Sequence, residues 1–376
     1  MSASPTQAPS LPDQEPAEEI APETTLSAWQ QLQIAAVANV VALMMRKGGA
    51  GKTSLTLLLA DALARFGLRV LVIDLDPQGN ASIGLGHKVQ LEEAPSKTRL
   101  GSRPAMQPTE PTVLEVIDAD TAGIIDEAIQ IVDWGYNPED LFTRGGPLRP
   151  GKIGTIGVVP SYHGLETSAA AWRPADLEKL ATALLLPAET GGVAPNATWD
   201  VVLIDTPPGG SLISIQAAKA AYHALFVTQA QRFGVEAIPD TLLLVQEVKH
   251  GYKHDDLDVM GLVFNEYTER SVTQRNLLSQ VETAQQQGIP DFDVAVWKGR
   301  LPNLTVVDKS QDAEAPVSAF LGSSSDREPA RRVCQVAEAV AIQLLEAIEH
   351  PEAAELKALW KKAWPENQRT DVVAEV

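Results

Sequence analysis

Residues 46–54 form a glycine-rich stretch that reads Arg46-Lys47-Gly48-Gly49-Ala50-Gly51-Lys52-Thr53-Ser54. It follows a short apolar run, Val40–Met45, and precedes a helical pattern, Thr53–Arg65. Glycines between a buried strand and a helix let backbone N–H groups converge on an anion, and the helix N-terminus adds its positive end. The stretch therefore predicts a phosphate-binding loop, in which Lys52 reaches the phosphates and the Thr53 hydroxyl is a Mg²⁺ ligand.

The stretch departs from the usual phosphate-loop consensus at its first position. The consensus has a glycine five residues before Gly51, and this chain has Arg46 there. The chain instead adds Lys47 directly before its glycine pair, which is the deviant form of the motif with a second lysine. The residues that we expect to bind a nucleotide in this loop are Lys47, Gly48, Gly49, Ala50, Gly51, Lys52, Thr53 and Ser54.

Three aspartates at the ends of predicted strands supply carboxylates. Asp74 and Asp76 end the run 70–76 two residues apart, so they share one face of the strand. Asp205 ends another apolar run, 201–205. Because the carboxyl ends of parallel strands meet at one edge of a sheet, we expect these groups beside the phosphate loop. One carboxylate there can hold Mg²⁺ through water while another orients an attacking water.

Apolar runs alternate with helical patterns along most of the chain. This alternation predicts an α/β fold, with a mostly parallel, doubly wound sheet and helices on both faces. The predicted strands are Val40–Met45, Arg69–Ile73, Gly154–Val159, Asp200–Ile204, Ala224–Val227, Val259–Phe264 and Phe292–Val296. The predicted helices between them include Thr53–Arg65, Asp176–Leu186 and Val235–Glu247.

Changes in composition divide the chain into three parts. Residues 1–25 are acidic and proline-rich with no Lys or Arg, which predicts a disordered tail. Residues 26–350 are expected to form a single P-loop domain, beginning with a short helix at 26–36 and interrupted by a proline-rich surface insertion at about 89–111. After the helix predicted at 330–349, residues 351–376 are expected to form a C-terminal helix and tail.

Composition excludes several classes of protein. Among 376 residues, 49 are acidic and 30 are basic, which gives a net charge of −19. Any binding to nucleic acid or to an anionic membrane must therefore use a local basic patch. The single cysteine, Cys334, excludes a disulfide framework, a cysteine zinc site and an iron–sulfur site within one chain. No apolar stretch reaches ~18 residues, so no transmembrane helix is expected. The first basic residue is Arg46, so no export signal is expected, and we expect a cytoplasmic protein.

Five segments in order give the chain a family resemblance. They are KGGAGKTS, IDLDPQGNAS, GVVPSYHGLE, DVVLIDTPPG and VTQAQRFGVEAI, within residues 38–349. The chain resembles the deviant-Walker ATPases of the ParA/MinD/Soj group, and more closely the ParA partition branch. The resemblance implies a homodimer that closes around two ATP molecules and Mg²⁺, with a loop lysine of each chain crossing to the partner's nucleotide.

The resemblance also implies roles for the polar residues. Lys47 matches the crossing lysine, and Lys52 matches the in-chain phosphate lysine. Thr53 matches the direct Mg²⁺ ligand. Asp74 and Asp205 match the water-mediated ligands, while Asp76 matches the carboxylate that activates water.

Two positions resemble the adenine-binding elements of the family. Asn265 ends a predicted strand where the family has an adenine-contacting Asn, although an Asn there is also a common turn residue. The segment 301–303, with Pro302 at its centre, resembles the family's Ile-Pro-Arg-Asn stretch but lacks the arginine. No Asn-Lys-x-Asp guanine motif occurs, so the sequence favours ATP over GTP.

The function implied is that of a DNA partition ATPase for plasmid or chromosome segregation. Its ATP-bound dimer would bind DNA without sequence preference, associate with the nucleoid and be stimulated by a ParB-like centromere-binding partner. The candidate DNA contacts are Arg270, Arg275, Lys298 and Arg300, which could equally be solvated surface charges. The N-terminal extension is too short and too acidic for a helix-turn-helix domain, so specific operator binding is not expected.

The alternative is a MinD-like membrane-associated ATPase, or one that positions a cargo other than DNA. The support for this alternative is an apolar helix face with lysines on either side. The face is formed by Leu356, Leu359, Trp360, Ala363 and Trp364. A terminal helix that packs this face on its own domain, or on a dimer mate, explains the pattern more simply, so membrane binding is not favoured. The Asp-Pro-Gln-Gly-Asn segment that begins at Asp76 is also typical of the partition branch.

Overall fold

The computed structural model describes residues 39–93, 106–119, 123–134, 154–186, 193–366 and 369. The strands in these ranges are β1 (Val40–Met44), β2 (Arg69–Asp74), β3 (Leu91–Glu93), β4 (Met106–Pro108), β5 (Gln130–Ile131), β6 (Thr155–Val159), β7 (Val201–Asp205), β8 (His223–Gln229) and β9 (Asp258–Asn265). Seven of them form one sheet in the order β5-β6-β2-β7-β1-β8-β9. All neighbours in it pair in parallel except β5, which pairs antiparallel with β6.

Helices cover both faces of the sheet. The α-helices are α1 (Lys52–Arg65), α2 (Asn80–Gly84), α3 (Val113–Asp118), α4 (Ile124–Ala128), α5 (Gly164–Ala169), α6 (Lys179–Leu185), α7 (Leu212–Ala220), α8 (Arg232–Val235), α9 (Ala237–Gly251), α10 (Val272–Gln286), α11 (Thr305–Asp312), α12 (Arg327–Ala347) and α13 (Ala353–Ala363). Short 3₁₀ helices lie at Pro174–Glu178, Pro195–Thr198, Pro290–Phe292 and Val317–Gly322. The fold class predicted from the sequence is confirmed.

The central strands are apolar throughout because both of their faces are covered. In β1, Val41 and Leu43 pack into one core with α1, α12 and α13, while Ala42 and Met44 pack into the other core with α7 and α9. Successive side chains of a strand point to opposite faces, so an unbroken run of buried residues is what a doubly covered strand requires. This explains why the parallel strands could be predicted as short apolar runs.

Strand register sets the positions of the acidic groups. In the pairing of β2 with β7, Asp74 lies opposite Asp205, and in the pairing of β1 with β7, Leu43 lies opposite Asp205. The last residues of three adjacent strands therefore end at one level, where β1 leads into the glycine-rich loop. The fold brings the loop and the aspartates to one edge of the sheet.

The prediction of a strand at Phe292–Val296 was wrong. Residues 290–292 form a 3₁₀ helix, and the next residues form an isolated parallel bridge with β9, between Leu262 and Val296, rather than a strand. Pro290 lacks an N–H and has a fixed φ, which suits the first turn of a helix better than a strand. The two-residue edge strand β5 was not predicted from the sequence.

The described part of the proline-rich insertion contains a short two-stranded ribbon. Within 89–111, β3 and β4 pair as an antiparallel ribbon, while residues 94–105 lie outside the described residues. The predicted tail at 1–25 and the helix at 26–36 also lie outside them. The division into three parts stays a prediction. No helix in the described part of the chain is both long enough and apolar enough to cross a membrane.

Candidate functional site

The glycine-rich loop joins β1 to α1 in a conformation that needs glycine. Gly49 and Gly51 have φ of 70° and 93°, in the left-handed region that disfavours side chains. A Cβ at Gly51 would lie 1.8 Å from Nδ2 of Asn265. A side chain at position 51 would be strained by the positive φ and would collide with the Asn265 side chain at the end of β9.

Hydrogen bonds from neighbouring strand ends hold the loop. The N–H of Gly209 donates to the carbonyl of Arg46 at 2.7 Å, and Nε2 of Gln229 donates to the carbonyl of Gly49 at 2.9 Å. Nδ2 of Asn265 donates to the carbonyl of Ala50 at 3.3 Å. These bonds occupy carbonyl oxygens that would otherwise repel an anion bound by the loop.

Lys52 is a nearly buried cation at the start of α1. Its side chain is 6% exposed, and Nζ donates to the carbonyl of Met45 at 3.3 Å. Burial lowers the pKa of Lys52, and the carboxylates of Asp205 and Asp76 oppose that effect. A buried ammonium is costly unless an anion compensates it, so this position favours a phosphate.

Asp205 lies directly behind the first turn of α1. The hydroxyl of Thr53 donates to Oδ2 of Asp205 at 2.7 Å, and the hydroxyl of Thr56 donates to Oδ1 at 3.1 Å. The carboxylate is buried, and both of its oxygens have partners. This arrangement orients the Thr53 hydroxyl, which lines a cavity on the other side.

Asp74 is held by the segment that follows β2. Oδ2 accepts from the N–H of Ser82 at 2.8 Å and from its hydroxyl at 2.7 Å, while Oδ1 accepts from the N–H of Asp76 at 3.0 Å. Burial raises the pKa of both Asp74 and Asp205, and the proximity of Asp205 adds to the rise at Asp74. Two buried carboxylates side by side favour a nearby cation.

A cavity of about 570 Å³ opens in front of these groups. That volume suits a ligand the size of a nucleotide. Its lining residues are Gly48, Gly49, Ala50, Gly51, Lys52, Thr53, Ser54, Asp76, Asn80, Ile83, Gly84, Thr206, Pro208, Glu266, Asp308, Gln311 and Asp312. Asp76 is half-buried in this wall, and its Oδ1 accepts from the N–H of Gln78 at 2.9 Å.

The predicted site residues fall into three groups around the cavity. Residues 48–54 and Asp76 line it, whereas Asp74 and Asp205 lie behind its wall. Lys47 is half-buried outside it, with Nζ 5.5 Å from the centre of the Phe233 ring.

The two predicted adenine contacts do not line the cavity. Asn265 is buried against the phosphate loop, and its amide holds the loop carbonyl of Ala50. Pro302 is buried where it forms an isolated parallel bridge with Tyr267, two residues beyond the end of β9. Their roles at a nucleotide base stay predictions.

Several residues at the site were missed from the sequence. Thr56 could have been found, because it lies one helical turn after Lys52 and so shares its face of α1. The α11 residues that border the cavity carry no such signal. Nε2 of Gln311 donates to the hydroxyl of Ser54 at 2.9 Å, across 257 positions of sequence.

The candidate DNA-contacting residues differ in their surroundings. Arg270, Arg275 and Lys298 are exposed. Arg300 is half-buried, pairs with Glu282 at 3.1 Å and lies 5.5 Å from the Tyr267 ring centre. The structure therefore leaves three of the four side chains accessible and gives Arg300 an internal partner.

The apolar face of α13 packs on the domain. Leu356, Trp360 and Trp364 are buried in the core shared with α12, and Nε1 of Trp364 donates to Oε2 of Glu338 at 2.7 Å. Leu359 and Ala363 pack partly buried against the same core. The simpler explanation of this helix is confirmed, and its tryptophans are not available to a membrane.

Comparison with known proteins places this geometry in a family. The model for the CobQ/CobB/MinD/ParA nucleotide binding domain matches residues 41–317. Chromosome partitioning protein ParA of Caulobacter vibrioides is 27% identical over 288 residues, which cover 75% of this chain and 87% of that protein. Chromosome-partitioning ATPase Soj of Thermus thermophilus is 27% identical over 242 residues, covering 64% of this chain and 74% of that one.

Solved structures show the same fold. A putative plasmid partition protein from Borrelia burgdorferi bound to AMPPNP has a TM-score of 0.55 and 16% identity, covering 83% of this chain and 98% of that one. A Cyanothece McdA variant in complex with ATP has a TM-score of 0.53 and 20% identity, covering 80% and 95%. The resemblance to deviant-Walker P-loop proteins is thus confirmed. By the extent of the family match, the chain belongs to the CobQ/CobB/MinD/ParA nucleotide-binding family.

Proposed function

We propose that this protein is an ATPase that dimerises on binding ATP and partitions DNA. The observation that carries the proposal is the division of the two loop lysines: Lys52 lines the nucleotide cavity, whereas Lys47 lies outside it. A cation that lies outside the cavity of its own chain can contact the phosphates of a nucleotide bound to a second chain. The relatives are named as chromosome partitioning proteins, which supports the same proposal.

The residues present fit ATP with Mg²⁺. Gly49 and Gly51, with their left-handed backbone, line the cavity without side chains, and Lys52 supplies a buried positive charge there. Thr53 offers a hydroxyl with Asp205 behind it, and Mg²⁺ prefers such oxygen ligands together with phosphate oxygens and water. Bound there, Mg²⁺ would neutralise charge on the phosphate oxygens during hydrolysis.

Asp76 is the residue that we assign to the attacking water. It lines the cavity, is half-buried, and lies two residues beyond Asp74 on the same chain segment. One of its oxygens accepts from the N–H of Gln78, which fixes the carboxylate in the wall. A fixed carboxylate in this position can orient a water and accept its proton.

DNA binding would follow from dimerisation. The chain carries net charge −19, so a single copy offers DNA little attraction beyond a local patch. Arg270, Arg275 and Lys298 are exposed, and pairing two copies would double the number of such groups on one assembly. We propose that the ATP dimer binds DNA without sequence preference, associates with the nucleoid, and is released when a ParB-like partner stimulates hydrolysis.

Substituting each loop lysine tests the proposal. Lys52→Ala should abolish ATP binding in calorimetry, because the triphosphate loses its buried cation. Lys47→Ala should bind ATP as a monomer, fail to dimerise in size-exclusion chromatography with light scattering, and lose DNA binding in a mobility assay at fixed salt. A Lys47→Ala protein that forms an ATP-dependent dimer and still shifts DNA would contradict the crossing role and the partition function built on it.

An ATPase that positions a cargo other than DNA would use the same nucleotide site. The structural similarity to McdA shows the shared fold and leaves the cargo open. A membrane-bound form is disfavoured, because the apolar face of α13 is buried in its own domain. Co-sedimentation with anionic vesicles should therefore be absent both for the whole chain and for a chain lacking residues 351–376.

A further inference from the structure

Arg46 lies where phosphate loops usually begin with glycine, and its backbone is fixed on both sides. Its N–H donates to the hydroxyl of Thr241 at 3.2 Å, and its carbonyl accepts from the N–H of Gly209 at 2.7 Å. Its side chain is exposed. The backbone bonds fix where the side chain starts, and its exposure leaves the guanidinium accessible to an anion.

The guanidinium lies against the segment that follows β7. A Cβ at Gly210 would lie 3.5 Å from Cζ of Arg46, so the group extends over a glycine that leaves room for it. The same segment contributes Thr206 and Pro208 to the cavity wall. The Arg46 guanidinium therefore lies against the same segment that supplies part of the cavity wall.

Arg46 does not reach into its own cavity. The lining begins at Gly48, so Arg46 and Lys47 both lie outside it. No ion pair joins Arg46 to a carboxylate within the described ranges. Its neighbour Lys47 stacks near Phe233, a ring that is 70% exposed. The two adjacent cations thus lie outside the cavity, Arg46 against Gly210 and Lys47 beside Phe233.

We propose that Arg46 is a second cation that crosses the dimer interface and stabilises the transition state on the partner's ATP. This inference rests on the proposed function. In hydrolysis a water oxygen bonds to the γ-phosphorus while the bond from that phosphorus to the β–γ bridging oxygen breaks, and its electron pair leaves with ADP. The proton of the water passes to the carboxylate of Asp76. Arg46 keeps all its protons and donates hydrogen bonds to the terminal phosphate oxygens, where charge redistributes.

The first test separates transition-state stabilisation from binding. Arg46→Gln keeps a polar side chain that can donate hydrogen bonds, and it removes the charge and the guanidinium end. We expect kcat for ATP to fall at least about 10-fold while the affinity for ATP in calorimetry stays within about twofold, because the arginine acts on the partner's nucleotide in the transition state. Arg69→Gln is the matched control: Arg69 is an exposed arginine at the opposite end of β2 and should keep wild-type kcat.

The second test asks on which chain Arg46 acts. Arg46→Gln is mixed with Asp76→Ala, and the rate of the mixture is compared with the rates of the two variants measured separately. In a mixed dimer, the nucleotide in the Arg46→Gln chain meets an intact Asp76 from its own chain and an intact Arg46 from the partner. If Arg46 acts across the interface, mixing restores hydrolysis to about a quarter of the wild-type rate per total chain for random pairing.

The outcomes separate this inference from the proposed function. Wild-type kcat in Arg46→Gln, or a loss of kcat that mixing does not restore, would overturn the crossing role of Arg46 and leave the ATPase assignment intact. Failure of the wild-type protein to hydrolyse ATP would overturn both. Restored activity on mixing is the result that supports the inference.

Discussion

The hydroxyl of Thr53 donates a 2.7 Å hydrogen bond to Oδ2 of Asp205, joining the first turn of α1 to the end of β7. The bond fixes the hydroxyl oxygen at the cavity wall, with a buried carboxylate behind it. It also links the phosphate loop to the sheet, since Thr56 bonds the other oxygen of the same carboxylate. A ligand that contacts the Thr53 hydroxyl therefore contacts a group that is held in place by both α1 and β7.

Thr53→Ala should weaken ATP binding only when Mg²⁺ is present. The substitution removes the hydroxyl that we propose as a metal ligand and leaves Asp205 without its shorter hydrogen bond, which amounts to about 1–3 kcal/mol or roughly a 5- to 150-fold loss of affinity. Calorimetry with MgCl₂ and with EDTA measures the difference. Thr53→Ser keeps the hydroxyl and should retain most of the affinity. An equal loss in EDTA would show that the hydroxyl has no role at the metal.

Asp76→Ala should bind ATP and Mg²⁺ but hydrolyse ATP about 10²- to 10⁴-fold more slowly, because the attacking water loses its carboxylate. The ATP dimer should then persist, which light scattering over hours can follow. Asp76→Asn preserves size and should be similarly slow. Hydrolysis at the wild-type rate in either protein would exclude Asp76 from the reaction.

Gly51→Ala should disrupt the phosphate loop far more than Gly49→Ala. Both residues have positive φ, and that strain alone costs about 1 kcal/mol. Only at Gly51 would the new Cβ collide with Asn265, whereas nothing lies within 4 Å of a Cβ at Gly49. We expect ATP binding to be lost in Gly51→Ala and reduced about 10-fold or less in Gly49→Ala. Equal affinities in the two proteins would contradict the close approach of β9 to the loop.

The phosphate site could be predicted because its signals are local. Residues 46–54 and the aspartates at strand ends carry their chemistry in fixed spacings, and parallel strands bring them to one edge. Phe292–Val296 shows the limit, since a short apolar pattern does not reveal that a preceding proline starts a helical turn. Contacts such as Gln311 with Ser54, or Ser318 with Asp61, join residues 257 positions apart and leave no pattern in one sequence.

A buried ionic cluster at the other end of α1 was also missed from the sequence. Nη1 of Arg65 lies 2.8 Å from Oε1 of Glu338 on α12, and the hydroxyl of Ser318 donates to Oδ1 of Asp61 at 2.8 Å. Cys334 is buried beside the same groups. With two carboxyl groups and one guanidinium, the cluster has more acids than bases in a buried region.

That imbalance makes stability depend on pH. Burial raises the pKa of Asp61, although Arg65 and the Ser318 hydrogen bond oppose the rise. Above the unfolded value of about 3.9, the folded protein then binds more protons at Asp61 than the unfolded chain does. The contribution of Asp61 to the free energy of unfolding therefore falls as pH rises through this window, until the folded pKa is passed.

Asp61→Asn should remove this dependence while keeping an oxygen for Ser318. We expect the variant to gain stability relative to wild type between pH 4 and pH 8, by about 1.4 kcal/mol for each unit of pKa rise that it abolishes. Urea unfolding at several pH values measures the difference. Asp200→Asn is the control. Burial favours a higher pKa at Asp200, but the Arg69 hydrogen bonds outweigh it and lower the pKa. The free energies of unfolding of wild type and Asp200→Asn should therefore differ by a constant amount above about pH 5. An Asp61→Asn protein whose stability parallels that of wild type at every pH would show that Asp61 is ionised in the folded protein as readily as in the unfolded chain.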